Sequence, residues 1–179
     1  MAIFMRAHIS TRGVYSHRKW ALSPSSASIG CAKRENWVTE NDYLRYVEAF
    51  NARDYGTLET FFTDDFVLEN AGFRVEGKKA FREFYAFFHE FCREEVIFKG
   101  FYPGADGFVA NVIIRFTGLR DLSPEILEER GFQGMTPVPR GESVDVEFLI
   151  HYRVNPAGLI DFIKGAVWVP AAAPDRAVQ

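Results

Sequence analysis

The sequence predicts an α+β fold: three N-terminal helices packed on a strongly curved antiparallel sheet, making a cone with an interior pocket. Two observations predict it. The first half of the body carries aromatic residues at helical spacings of three and four, most densely at Phe81, Phe84, Phe88 and Phe91. The second half carries two long runs of alternation, Phe108 to Thr117 and Val144 to Val154, the mark of strands covered on one face.

Each element follows in order. Thr39 and Asp42 form a capping-box start, and Tyr43, Leu44, Tyr46, Val47 and Phe50 share one side of a helix over Glu40 to Arg53. Asp54 caps a shorter helix carrying Leu58, Phe61 and Phe62, which Thr63, Asp64 and Asp65 end. Phe66 to Asn70 is a short strand, and Gly72 opens the turn to its hairpin partner, Phe73 to Glu76. The third helix covers about residues 78–92, with Tyr85 and Cys92 widening its apolar stripe. Its five phenylalanines require a large apolar surface to lie against.

Strands follow at Val96 to Tyr102, Phe108 to Thr117, Val144 to Val154 and Leu159 to Trp168. In the two alternating strands the even positions face inward. Arg115, Asp145, Glu147, His151 and Arg153 therefore face outward. Between these strands, residues 121–141 form an insertion with a short helix, capped by Ser123, begun by Pro124 and closed by Gly131. It reads either as a lid over the open end of the sheet or as plain surface.

The chain of 179 residues fits one domain, and its net charge of −3 hides an asymmetry. Residues 1–34 carry Arg6, Arg12, Arg18, Lys19, Lys33 and Arg34 and no acid, so the rest of the chain is strongly acidic. Such a body is a poor match for nucleic acid. Residues 1–36 read as a flexible basic tail or a targeting segment, 37–170 as the folded domain and 171–179 as a C-terminal tail. The expected location is the cytoplasm, or the mitochondrion if the basic segment is a transit peptide. No apolar stretch is long enough to span a bilayer, so no membrane partner is expected. Two cysteines and four scattered histidines supply no metal-ligand spacing, and no phosphate loop or dinucleotide fingerprint occurs, so no cofactor is expected.

Four stretches carry a family resemblance: Tyr46–Tyr55, Phe61–Asn70, Gly77–Tyr85 and His151–Ile160. Over about residues 37–169 the chain resembles the nuclear transport factor 2-like superfamily, in particular its SnoaL-like polyketide-cyclase and steroid Δ-isomerase branch. The resemblance implies a cystatin-like roll, a ligand site inside the cone and a homodimer through the outward sheet face. Family isomerases use a tyrosine late in helix one, a carboxylate ending the first strand and a carboxylic acid in the penultimate strand. By position these fall on Tyr46, Asn70 and Ile150. Asn70 does not ionise and Ile150 donates no hydrogen bond, so that trio does not carry proton transfer here. Nor do paired interior histidines, because His151 lies on the outward face.

The catalytic candidates are Tyr46 and Asn70, which polarise a carbonyl, with Asp161 and Glu69 as lower-ranked acid–base groups. Glu69 faces outward unless a bulge shifts the register. Tyr85, Tyr102, Ile150, Tyr152 and Trp168 are expected to contact the substrate. The expected function is a cofactor-free cyclase, isomerase or dehydratase acting on a hydrophobic small molecule, such as a polyketide or terpenoid intermediate. The alternatives are a non-catalytic carrier of an apolar ligand and a protein-interaction domain.

Overall fold

The computed structural model describes residues 38–70 and 72–168. The expectations for the basic segment, for Trp37 and for the C-terminal tail lie outside the described residues. Helix α1 (Glu40–Asn51) begins with the predicted capping box: Asp42 N donates to Thr39 Oγ1 at 3.2 Å and Thr39 N to Asp42 Oδ2 at 2.9 Å. Tyr43, Tyr46, Val47 and Phe50 form its buried face, while Leu44, expected beside them, is exposed. Helix α2 is a single turn (Tyr55–Leu58) that a 3-10 turn prolongs to Phe61.

Strand β1 (Phe62–Asn70) starts four residues earlier than the sequence suggests. Thr63, Asp64 and Asp65 belong to it and do not end a helix. The register against its neighbour shifts between Phe62 and Val67, so Asp64 and Asp65 are both exposed while Phe62, Phe66 and Leu68 stay buried. Two consecutive outward residues break the alternation that would mark a strand.

Strand β2 (Phe73–Glu76) and helix α3 (Gly77–Phe91) follow, then β3 (Cys92–Pro103), β4 (Gly107–Gly118), helix α4 (Pro124–Glu129), β5 (Ser143–Val154) and β6 (Ile160–Val167). The sheet order is β2-β1-β6-β5-β4-β3. Its pairings are antiparallel except β1 with β6, which is parallel. The wholly antiparallel sheet is corrected at this one seam. It joins the first and last strands of the domain, a pairing that no local pattern signals. Helix α3 buries Phe81, Phe84 and Phe88 against β1, β2 and β3, and α1 lies against β3.

The insertion is neither a free lid nor plain surface. Leu122, Leu127 and Val138 are buried, and Phe132 packs on Phe73, Phe84 and Phe87. Gly118 lets the chain return closely: a Cβ there would lie 2.1 Å from the Pro139 carbonyl oxygen.

Candidate functional site

The site begins with the parity of β3. Cys92, Glu94, Val96 and Phe98 alternate, and the inward face of β4 opposes them: Glu94 pairs with Phe116 and Val96 with Ile114. Val96 is fixed further by Asn51, whose side chain bonds its N–H at 2.8 Å and its carbonyl at 3.0 Å. The register then slips between Phe98 and Gly100, leaving Lys99 as an extra residue. Such a bulge reverses parity. Phe101 therefore turns inward and Tyr102 outward.

Aromatic rings fill one end of the interior. Phe108 stacks on Tyr152 with centroids 4.7 Å apart, and Tyr43 meets both edge-on. The hydroxyls of Tyr43 and Tyr152 lie 3.4 Å apart, and burial pushes the Tyr43 phenol up to about 12. The other end keeps a cavity of about 50 Å³, room for about three water molecules. This is smaller than an open funnel, because the rings occupy the rest.

Tyr46, Asn70, Tyr85, Ile150 and Tyr152 all line this cavity, as the sequence places them. Burial raises the Tyr46, Tyr85 and Tyr152 phenols well above their ordinary value, so they stand as donors. The Oδ1 atom of Asn70 is buried without a hydrogen-bond partner among the described residues. Its carboxamide fills the space over Gly165, where a Cβ would lie 2.8 Å from Oδ1. Glycine inside a strand costs about 0.5–1 kcal/mol relative to alanine, and room for this amide is the structural reason for it.

The remaining candidates lie elsewhere. Glu69 contacts Arg74 and lies 3.6 Å from Lys164 on the outward side, since Leu68 and Asn70 take the inward positions. Asp161 accepts from Arg153 Nε at 2.6 Å; a register shift after Arg153 turns Asp161 away while Ile160 and Ile163 stay buried. Tyr102 is 56% exposed, turned out by the Lys99 bulge, and Trp168 is 54% exposed beyond the end of β6. None of these four lines the cavity.

Sequence reasoning missed the one acid among the described residues that does. Glu94 lines the cavity, and its side chain and that of His89 are each 7% exposed. His89 Nε2 lies 3.3 Å from Glu94 Oε2, and His89 Nδ1 lies 2.7 Å from Tyr55 Oη. With the Tyr55 hydroxyl donating to Nδ1, Nε2–H donates to the carboxylate. Burial pushes the Glu94 carboxyl above the usual carboxylate range; the His89 bond and the Arg53 charge pull more weakly the other way. The signal was available: carrying the β3 alternation back from Val96 puts Glu94 inward. His89 stands one turn from Tyr85 on α3. Buried Cys92 is no rival nucleophile, because burial pushes its thiol up to about 12. Among the described residues, no group of three or more His, Cys, Asp or Glu is placed to hold a metal ion.

Residues 43–162 match the SnoaL-like domain. The chain belongs to the SnoaL-like family. Solved structures with this SnoaL-like fold include a putative polyketide cyclase of Pseudomonas putida KT2440, 19% identical, with a TM-score of 0.58 over 72% of this chain and 91% of that one. A putative polyketide cyclase of Silicibacter sp. TM1040 is 23% identical, with a TM-score of 0.56 over 72% and 88%. A Mycobacterium tuberculosis protein in complex with estradiol-17beta-hemisuccinate is 21% identical, with a TM-score of 0.51 over 69% and 88%. No curated protein matches the chain. The matched residues include most of the cavity lining, which comes from α1, β1, α3, β3, β4, β5 and β6.

Proposed function

We propose that this SnoaL-like protein is a cofactor-independent enzyme of cyclase or isomerase type, using Glu94 for acid–base chemistry on an apolar small molecule. One observation carries the reading. A buried carboxyl of raised pKa lines the same cavity as the Tyr46 side chain and the Asn70 amide. A general base works best with a pKa near the working pH, and burial moves Glu94 that way. The structural relatives described as polyketide cyclases, and the one in complex with a steroid ester, support an apolar carbonyl-bearing ligand.

The ionised Glu94 takes a proton from a carbon beside a carbonyl. The C–H bond breaks, its electron pair moves into an enolate, and the Tyr46 hydroxyl and Asn70 Nδ2–H donate to the enolate oxygen. An isomerase returns the proton to a different carbon. A cyclase lets the enolate carbon attack a second carbonyl of the same molecule, and the proton ends on the new alkoxide. The His89 N–H donates to the ionised form of Glu94 and partly offsets the burial that raises its pKa.

Deuterium exchange tests this directly. A panel of apolar cyclic ketones and 1,3-diketones is incubated in D2O and followed by proton NMR. The wild-type protein accelerates exchange beside the carbonyl of at least one compound, and Glu94→Gln abolishes the acceleration. No acceleration, or acceleration that survives Glu94→Gln, contradicts the proposal. Ligand binding without exchange favours the carrier instead. A homodimer through the outward sheet face, where Ile113 and Leu149 lie among the charges, is part of this proposal. Light scattering that gives a monomer removes it.

A further inference from the structure

The cavity of about 50 Å³ is far below the roughly 300–1,000 Å³ of an ordinary ligand site. A second hollow, of about 330 Å³, lies at the ends of β1 and β6. Among the described residues, only Asn70 and Gly165 line both spaces. Gly165 offers no side chain, so the Asn70 carboxamide is the group standing between them. That amide rests in the space of the missing Cβ, and its buried Oδ1 has no partner among the described residues. A side chain that fills a gap without satisfying its own acceptor is poised to exchange its position for a better one.

The outer hollow has its own chemistry. Lys164, Arg74 and Glu69 line it, and both cations share Glu69. Arg74 is held also by Glu76, which lies outside the lining. Lys164 therefore has Glu69 as its ion-pair partner, at the loose distance of 3.6 Å, and is mostly exposed. With Glu69 and Glu76 both close to Arg74, Lys164 is the lining cation held most loosely.

We infer that Asn70 is a movable partition joining these hollows into one tract, and that the substrate is an elongated apolar molecule whose anionic end lies against Lys164 and Arg74. Its reacting end reaches Glu94. A hydroxyl or N–H at its middle satisfies Asn70 Oδ1. The placement of the reacting end rests on the acid–base role of Glu94; the tract and the anion site do not.

Two dyes sharing one ring system test the inference: 1-anilinonaphthalene-8-sulfonate, an anion, and N-phenyl-1-naphthylamine, its neutral counterpart. Fluorescence titration shows the wild-type protein binding the sulfonate more tightly. Lys164→Met weakens the sulfonate about fivefold, the upper range for an exposed pair, and leaves the neutral dye unchanged. Asn70→Ala removes the partition and speeds association of the neutral dye in stopped flow. Unchanged melting temperatures exclude misfolding of the variants. Failure of both dyes to bind, equal loss of both in Lys164→Met, or an unchanged association rate in Asn70→Ala overturns the inference. No turnover is involved, so failure here leaves the exchange assay standing, and failure of that assay leaves the tract standing.

Discussion

Tyr43 and Tyr46 stand one turn apart on α1, with their rings stacked 5.6 Å from centre to centre, yet they serve different ends of the interior. Tyr43 is enclosed by Phe98, Phe101, Phe108 and Tyr152, and its hydroxyl meets that of Tyr152. Tyr46 lines the cavity. The strand opposite makes the difference. Towards Tyr43 the inward positions of β3 hold Phe98 and Phe101. Towards the cavity they hold Glu94 and Val96, which are too small or too polar to fill the space. A void opens where the strand carries a carboxyl in place of a ring. The closed end holds the domain together, and the proposed chemistry belongs to the open end.

Substitutions at the two ends should therefore move different observables. At the closed end, Phe108→Ala leaves a hole among three aromatic partners and lowers unfolding stability by about 3–5 kcal/mol in urea titrations. At the open end, Glu94→Gln lowers turnover by about 10²–10⁴-fold, the range for a general base, without that loss of stability. Its pH signature has a definite sign. The folded carboxyl holds its proton above the ordinary glutamate value of about 4.3, so the wild-type fold loses stability as pH rises from there through the folded value. Glu94→Gln removes that slope. Its stability relative to wild type is greater at pH 7 than at pH 4, as thermal melts at both pH values will show.

The tyrosines sharpen the contrast. Tyr152→Phe strands the Tyr43 hydroxyl and costs about 1 kcal/mol of stability. Tyr46→Phe reduces turnover more than stability. Smallest, and away from both ends, Thr39→Ala costs about 1 kcal/mol or less by removing the α1 cap. Thr39 also holds the Asp42 carboxyl below its usual range, through a backbone bond and then a side-chain bond. That contribution is present above the unfolded value for aspartate and fades as pH falls through the folded one.

The helices and the central strands were legible because their patterns are local. Spacings of three and four exposed α1 and α3, and alternation exposed β4 and β5. Tyr46 and Asn70 could be placed in the interior for the same reason. What escaped was set by irregularity or by distance in sequence. Two adjacent outward aspartates hid the start of β1. The extra Lys99 reversed the face of Tyr102. The parallel seam joins strands separated by most of the domain. Glu94 escaped because an acid next to Arg93 and Glu95 reads as a solvated strand end; the alternation back from Val96 pointed inward, and the pairing with β4 and the bond to His89 bear that out.

The buried carboxyl of Glu94 is directly observable. Carbon-13 NMR of protein labelled at the glutamate side-chain carboxyls, compared with Glu94→Gln to identify the resonance, follows Glu94 through a pH titration. A midpoint above the ordinary value of about 4.3 is expected. A midpoint at or below that value would mean a solvated carboxylate, and the proposed chemistry would have no base.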